Sequence, residues 1–250
     1  MADTDPLARW VRSLEERHLA RFEFPEVRKA LQALSSLYVE RREKLAAGAA
    51  LGTEGKRAAF ALFYAPLHFL LVREALRALE GARPGLSQVI DLGCGTAPAG
   101  AAWASESGGR AQVLGYERHG WAASEARHTL SAFGLRGRVQ VGDLSRAPLG
   151  GPGTGIVAAF TVNELEPTAR GALRDGLLAA AARGARVLIV EPLSRRIGPW
   201  WPEWEGAFRA AGGRADEWRF RVERPDIVRR LDKAAGLDHR EVTGRTLWIA

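Results

Sequence analysis

The ten residues Val89-Ile-Asp-Leu-Gly-Cys-Gly-Thr-Ala-Pro98 restrict the folds open to this chain more than any other stretch. An apolar run reads as a buried strand that carries an acid at Asp91. Two glycines one residue apart follow, and then a helical pattern begins. Glycine at positions 93 and 95 lets the backbone turn sharply and admits a ligand where a β-carbon would stand in the way. Strand, glycine turn and helix in that order form one unit of a parallel sheet whose ligands bind at the carboxyl ends of the strands.

The rest of the chain agrees with that unit. Apolar runs at Gln88–Leu92, Gln112–Tyr116, Arg138–Val141, Ile156–Thr161 and Val187–Val190 alternate with helical patterns near 97–104, 122–133, 168–182 and 225–235. Such alternation predicts an α/β fold, a mostly parallel sheet covered on both faces by helices. Runs at Asp238–Val242 and Arg245–Ile249, parted by Thr243-Gly244, predict an antiparallel hairpin at the end of the sheet.

The first eighty or so residues read differently, as helices only. Asp5-Pro6 is a cap followed by proline at the first helical position. Val27, Leu31, Leu34, Tyr38 and Leu45 recur at helical spacing, with Arg28, Lys29, Arg41, Arg42 and Lys44 largely off that stripe and Gly48 as a stop. Thr53 caps a third helix that Pro66 breaks or kinks and Gly81 ends. Gly81-Ala-Arg-Pro-Gly85 is the expected linker, giving a helical N-terminal part at 1–83 and a cofactor-binding domain at 84–250.

Composition narrows the function classes. The formal net charge is +7, yet lysine is scarce while arginine, alanine and glycine abound, a pattern that both an RNA partner and a GC-rich coding sequence produce. One cysteine, Cys94, leaves no internal disulfide and no cysteine-built zinc or iron–sulfur site, so no metal is expected. The apolar stretch Ala58–Val72 is interrupted by Pro66 and His68 and falls short of the about 20 residues that span a bilayer. No membrane partner and a cytoplasmic location are the expectation.

Two cofactor classes compete for the glycine turn. A dinucleotide site wants a third glycine three residues after Gly95, and Pro98 stands there. Asp91, two residues before Gly93, suits a ligand carrying an amino-acid moiety better than a pyrophosphate, which favours S-adenosylmethionine. Asp91-Leu-Gly93-Cys-Gly95-Thr-Ala97 resembles the first motif of class I S-adenosylmethionine-dependent methyltransferases. The resemblance implies a Rossmann-like core with a seven-stranded sheet. It also implies that Gly93, Cys94, Gly95 and Thr96 pass under the methionine part of the cofactor, with Asp91 near its amino group. Glu117, ending the second strand, would take the ribose hydroxyl protons, for which a carboxylate has capacity. Asp143 and Leu144, after the third strand, would meet the adenine; Asp143 could instead cap the following turn. Cys94 as a side chain reads as a small filler.

The segment Ala158-Ala-Phe-Thr-Val-Asn-Glu-Leu165 follows the fourth strand, where the class places the gap between methyl and acceptor. Phe160 would line the cofactor, Asn163 would orient an acceptor or cap the next helix, and Glu164 would act as a base. Arg57-Ala-Ala-Phe-Ala-Leu-Phe-Tyr-Ala-Pro-Leu-His68, Val162-Asn-Glu-Leu165 and Val190-Glu-Pro192 together are similar to the methyltransferase-like family associated with the mitochondrial ribosomal small subunit and its bacterial relatives. That resemblance implies RNA or the ribosomal small subunit as partner and acceptor. The chain departs from it by lacking the cysteine cluster after the fifth strand; tryptophans at 200, 201, 204 and 218 occupy that stretch. These either cover the N-terminal helices, as core or lid packing, or stack on a flat acceptor. Tyr64 would cover either the helices or the cofactor. A small-molecule methyltransferase and a non-catalytic, cofactor-binding assembly factor remain open beside the RNA reading.

Overall fold

The structure, a computed structural model, describes residues 5–40, 51–194 and 198–250. Arg41, Arg42, Lys44, Leu45 and Gly48 lie outside those residues. Contacts divide the chain into a helical unit, residues 1–68 with 221–241, and a sheet unit, residues 69–220 with 242–250.

The helical unit begins with α1 (Pro6–Leu19), where the Asp5 carboxylate accepts the Leu7 amide at 3.1 Å and caps the helix. Helix α2 (Phe24–Glu40) buries Val27, Leu31, Leu34 and Leu37 at helical spacing and leaves Arg28 and Lys29 exposed, the arrangement its sequence stripe requires. Thr53 caps α3 (Glu54–Ala59), its hydroxyl accepting the Lys56 amide. A π-helical turn, Phe60–Tyr64, then joins α3 to α4 (Ala65–Ala78), so the helix runs on without a break. Pro66 therefore does not interrupt it. The Ala65 amide reaches back to the Phe60 carbonyl, and this wider turn absorbs the missing proline donor one residue later. By length and composition the continuous helix Glu54–Ala78 could cross a membrane, but 72 % of its most apolar window is buried within the protein.

The sheet unit holds seven strands: β1 (Gln88–Leu92), β2 (Gln112–Glu117), β3 (Gly137–Val141), β4 (Thr154–Ala159), β5 (Arg186–Glu191), β6 (Arg214–Phe220) and β7 (Val242–Ile249). Their order is β3-β2-β1-β4-β5-β7-β6, with β7 antiparallel to both neighbours and the other pairs parallel. This is the seven-stranded, Rossmann-like order that the resemblance implied. Helices α5 (Pro98–Glu106), α6 (Gly120–Ala132), α7 (Pro167–Ala182) and α8 (Trp201–Ala210) connect the strands. Parallel strands covered on both faces are apolar throughout, and Val89, Ile90, Ile156, Val157 and Val187–Val190 are fully buried.

The compact units part at residue 68, because the later half of α4 belongs with the sheet: Phe69 stacks on Phe133 and Arg77 pairs with Glu106. Residues 221–241 return to the helical unit, where α9 (Asp226–Ala234) buries Ile227, Val228 and Leu231 and Arg230 lies over the Phe24 ring. The terminal antiparallel pair exists, but Thr243-Gly244 lies inside β7 and its partner is β6, not 238–242. Strand β6, Arg-Ala-Asp-Glu-Trp-Arg-Phe, is a half-exposed edge whose charged residues hide its alternation.

Candidate functional site

The carboxyl ends of β1, β2, β4 and β5 bring most of the expected residues together. After β1 the backbone enters the left-handed region at Gly93 (φ 64°), Gly95 (54°) and Ala97 (58°). At Gly93 glycine is required twice over, because a β-carbon there would also lie 2.4 Å from Thr161 Cγ2. At Gly95 nothing lies within 4 Å of where a β-carbon would be, so that face of the loop is open. Ala97 carries the left-handed strain with a side chain and precedes α5, which starts on Pro98.

Two buried acids hold this loop. Asp91 Oδ2 accepts the Gly100 amide at 2.8 Å, in the first turn of α5, while its buried Oδ1 has no partner among the described residues. Burial pushes the Asp91 carboxyl up to about 7; the Gly100 amide opposes this and Glu117 adds to it. Glu117 Oε2 accepts the Gly95 amide at 2.8 Å and Oε1 the His119 amide at 2.7 Å. The Thr96 hydroxyl is buried and likewise lacks a partner among the described residues. Cys94 turns its sulfur onto β2 beside Gly115, and burial, with Asp91 and Glu117 nearby, keeps its thiol well above the usual range. Its side chain is the filler expected; only its backbone belongs to the loop.

Beyond β2 the ladder continues through the Gly142 amide, which donates to the Glu117 carbonyl at 3.0 Å. Asp143 caps the short turn Leu144–Arg146, accepting the Ser145 amide at 2.7 Å, and the contacts with Ser145 lower its pKa. Asp143 is thus an exposed carboxylate that caps this turn, beside a half-buried Leu144. Phe160, at the end of β4, is with Ala97 one of two non-glycine residues in the left-handed region among the described residues (φ 60°), pinned by its amide to the Val190 carbonyl at 2.8 Å. Tyr64 belongs to the helical unit, within the π turn, where burial raises its phenol to about 12 against a hydrogen bond with Ser35.

On the β4–β5 side, Asn163 neither caps a helix nor presents its amide freely. Its Nδ2 donates to Glu191 Oε2, and its Oδ1 accepts the Trp200 indole at 2.8 Å. Helix α7 instead begins at Pro167, with Glu166 at the N-cap position and no side-chain cap. Glu164 accepts from Arg118 at 3.1 Å. Although 43 % of its side chain is exposed, the surrounding protein raises its pKa, with Arg118 opposing and Glu117 assisting. Trp200, Trp201 and Trp204 are buried among Val162, Leu177 and Leu247, in the core of the sheet unit. Trp218 stacks on Phe220 and donates to the Thr246 hydroxyl.

Sequence reasoning passed over Thr161, Glu191 and Arg245. Glu191 ends β5 with no exposed surface, and burial pushes it up to about 8 against the Asn163 and Val162 amides and Arg245. Arg245 stands opposite it in β7 with its guanidinium 4.1 Å from the Trp201 ring centre. A charged residue closing an otherwise apolar strand was the available cue.

The donor set fits S-adenosylmethionine. A buried carboxyl oxygen without a partner among the described residues suits an ammonium, a carboxylate at the next strand end suits a ribose diol, and the open face at Gly95 admits the ligand chain. No protein-family profile matches the sequence, and no curated protein matches it, so the narrower ribosomal resemblance gains no support. Solved structures resemble it in fold. Magnesium protoporphyrin IX methyltransferase from Synechocystis PCC 6803 with bound S-adenosylmethionine is 17 % identical (TM-score 0.47; 73 % of this chain and 78 % of that one). A methyltransferase from Aquifex aeolicus is 17 % identical (TM-score 0.47; 74 % and 93 %). An O-methyltransferase from Thermotoga maritima is also 17 % identical (TM-score 0.47; 72 % and 63 %).

Proposed function

We propose that the chain is an S-adenosylmethionine-dependent methyltransferase acting on RNA or a ribosomal particle. The observation that carries the cofactor reading is the pair of buried acids, Glu117 bound to Gly95 within the left-handed glycine loop and Asp91 to Gly100 just after it, while Asp91 Oδ1 has no partner among the described residues. A net charge of +7 and the exposed Arg28 and Lys29 of α2 support an acidic acceptor.

In this reading Asp91 Oδ1 receives the cofactor's ammonium, and Glu117, with lone pairs beyond those its two amide donors use, receives the ribose hydroxyls. Asp143, oriented by Ser145, faces the adenine amine, and Leu144 lends apolar surface to the ring. The bound cofactor supplies an electrophilic methyl group on a sulfonium, so the protein's main task is alignment. Glu164, with its raised pKa and its tether to Arg118, takes a proton where the acceptor must lose one.

Calorimetric titration with S-adenosylmethionine tests this. Wild type should bind at micromolar strength, and Asp91→Ala combined with Glu117→Ala should lose binding by about 100-fold or more. A well-folded wild type that binds none refutes the proposal. For the acceptor, retention of RNA should fall steeply as salt rises, because each phosphate contact releases counterions. Retention indifferent to salt would remove RNA and favour a small-molecule acceptor.

A further inference from the structure

The polar groups at the ends of β4 and β5 connect to the glycine loop through a short relay. We propose that Glu191 is a positioning residue for the cofactor: it fixes the segment Phe160–Asn163 and, through Thr161, holds the glycine loop in its binding shape. The inference rests on the cofactor reading above and extends it to residues that touch no ligand.

The first link is the carboxylate itself. Glu191 Oε1 accepts the Val162 amide at 3.0 Å and the Asn163 amide at 3.4 Å, and Oε2 accepts Asn163 Nδ2. Three donors therefore converge on one buried carboxylate, with Arg245 opposite it across the ladder. Burying a carboxyl group is unfavourable unless its polar atoms are satisfied, so the group enforces one arrangement of its partners rather than several. The second link is the strained residue. Phe160 in the left-handed region persists only where its surroundings over-determine it. Its own amide is held by Val190, next to Glu191, and the following residues are held by Glu191. Helix α7 adds Arg170, which donates to the Val162 and Leu165 carbonyls.

The third link reaches the loop. The Thr161 hydroxyl lies 3.1 Å from the Gly93 carbonyl and 3.1 Å from that of Ala159. Its Cγ2 and Oγ1 fill the space where a β-carbon of residue 93 would stand. Thr161 thus abuts the first glycine of the loop in both hydrogen bonding and shape. Its position is set by neighbours on both sides that Glu191 and Val190 immobilise.

Binding of S-adenosylmethionine, read by calorimetry beside urea unfolding, tests the relay without any acceptor. Glu191→Gln keeps an acceptor for the two amides but turns an NH2 group toward Asn163 Nδ2, setting donor against donor. It should weaken binding about 10-fold. Adding Asn163→Asp reverses the polarity of that contact, while the carboxylate so introduced still accepts the Trp200 indole. The double variant should return to within about 3-fold of wild type, a rescue that a general loss of packing would not give. Thr161→Val, which keeps the shape and removes the hydroxyl, should weaken binding about 5-fold while the unfolding midpoint moves little. Wild-type affinity in both Glu191→Gln and Thr161→Val, or no rescue in a folded double variant, overturns the inference while leaving the cofactor reading intact. Should Glu191→Gln fail to fold, Thr161→Val decides alone. A folded wild type that binds no S-adenosylmethionine overturns the cofactor reading and the inference with it.

Discussion

The two sides of the site are finished to different degrees. Around the glycine loop, buried polar atoms remain without partners among the described residues, at Asp91 Oδ1 and Thr96 Oγ1, and the face at Gly95 is open. Between β4 and β5 both carboxylate oxygens of Glu191 are engaged, and both polar ends of Asn163 have a protein partner. Unsatisfied buried groups are unfavourable, and a ligand that completes them gains what the empty loop lacks. The loop side is therefore built to receive and the β4–β5 side to hold. Substitutions on the first should act on affinity, and on the second through the geometry that it fixes.

Gly93 stands where the two sides meet, so Gly93→Ala should have the largest effect. Left-handed strain and the 2.4 Å approach to Thr161 together should cost about 3 kcal/mol of stability in urea unfolding. Gly95→Ala, equally left-handed but facing open space, should cost about 1 kcal/mol in the same measurement. Equal costs at the two glycines would erase the distinction between the sides.

A pH series sharpens it next. Because burial holds the Asp91 carboxyl near 7, the folded chain keeps a proton that the unfolded chain releases at lower pH. This group's contribution to stability therefore declines as pH rises from about 4 to about 7. Affinity for a cationic cofactor should move the other way, rising up to about 10-fold between pH 6 and pH 8 as the carboxylate forms. Asp91→Asn should flatten that rise in calorimetric titrations; a slope that survives the substitution would assign it to another group.

The smallest effect belongs to Arg118→Ala. Its pair with Glu164 is half exposed, so stability should change by less than about 0.5 kcal/mol. Removing the opposing charge should still raise the Glu164 pKa further, which NMR titration of its side-chain carbonyl carbon would read.

Much of the receiving side was legible in the sequence because its requirements are local. Left-handed backbone calls for glycine at 93 and 95, and the acids that end strands stand at fixed intervals from that turn. The holding side was not legible, because Glu191 acquires its role only when β4 and β5 lie side by side. Asn163 was noticed for its chemistry, yet its partners sit 28 and 37 residues further along the chain. In the fold, the parallel strands were evident from continuous apolar runs. Strand β6 was not, since an edge strand spaced by arginine and acidic residues carries no such run. The grouping of α9 with the N-terminal helices was not legible for a related reason: nothing in the sequence around Pro225 states which distant helices it will meet.

That return of residues 221–241 to the helical unit has a consequence for the order of synthesis. A chain emerging from the ribosome would have α1, α2 and α3 available early, but the apolar face of α9 that completes their packing arrives only after β6 has been made. The sheet must likewise wait for β7, which is threaded between β5 and β6 after that excursion. Neither unit can close during translation before residues 221–250 have been made, so the two should mature together. The same interleaving makes a cut near residue 83 a poor way to divide the protein, because it would release a sheet fragment still carrying α9 without the helices that cover Ile227, Val228 and Leu231.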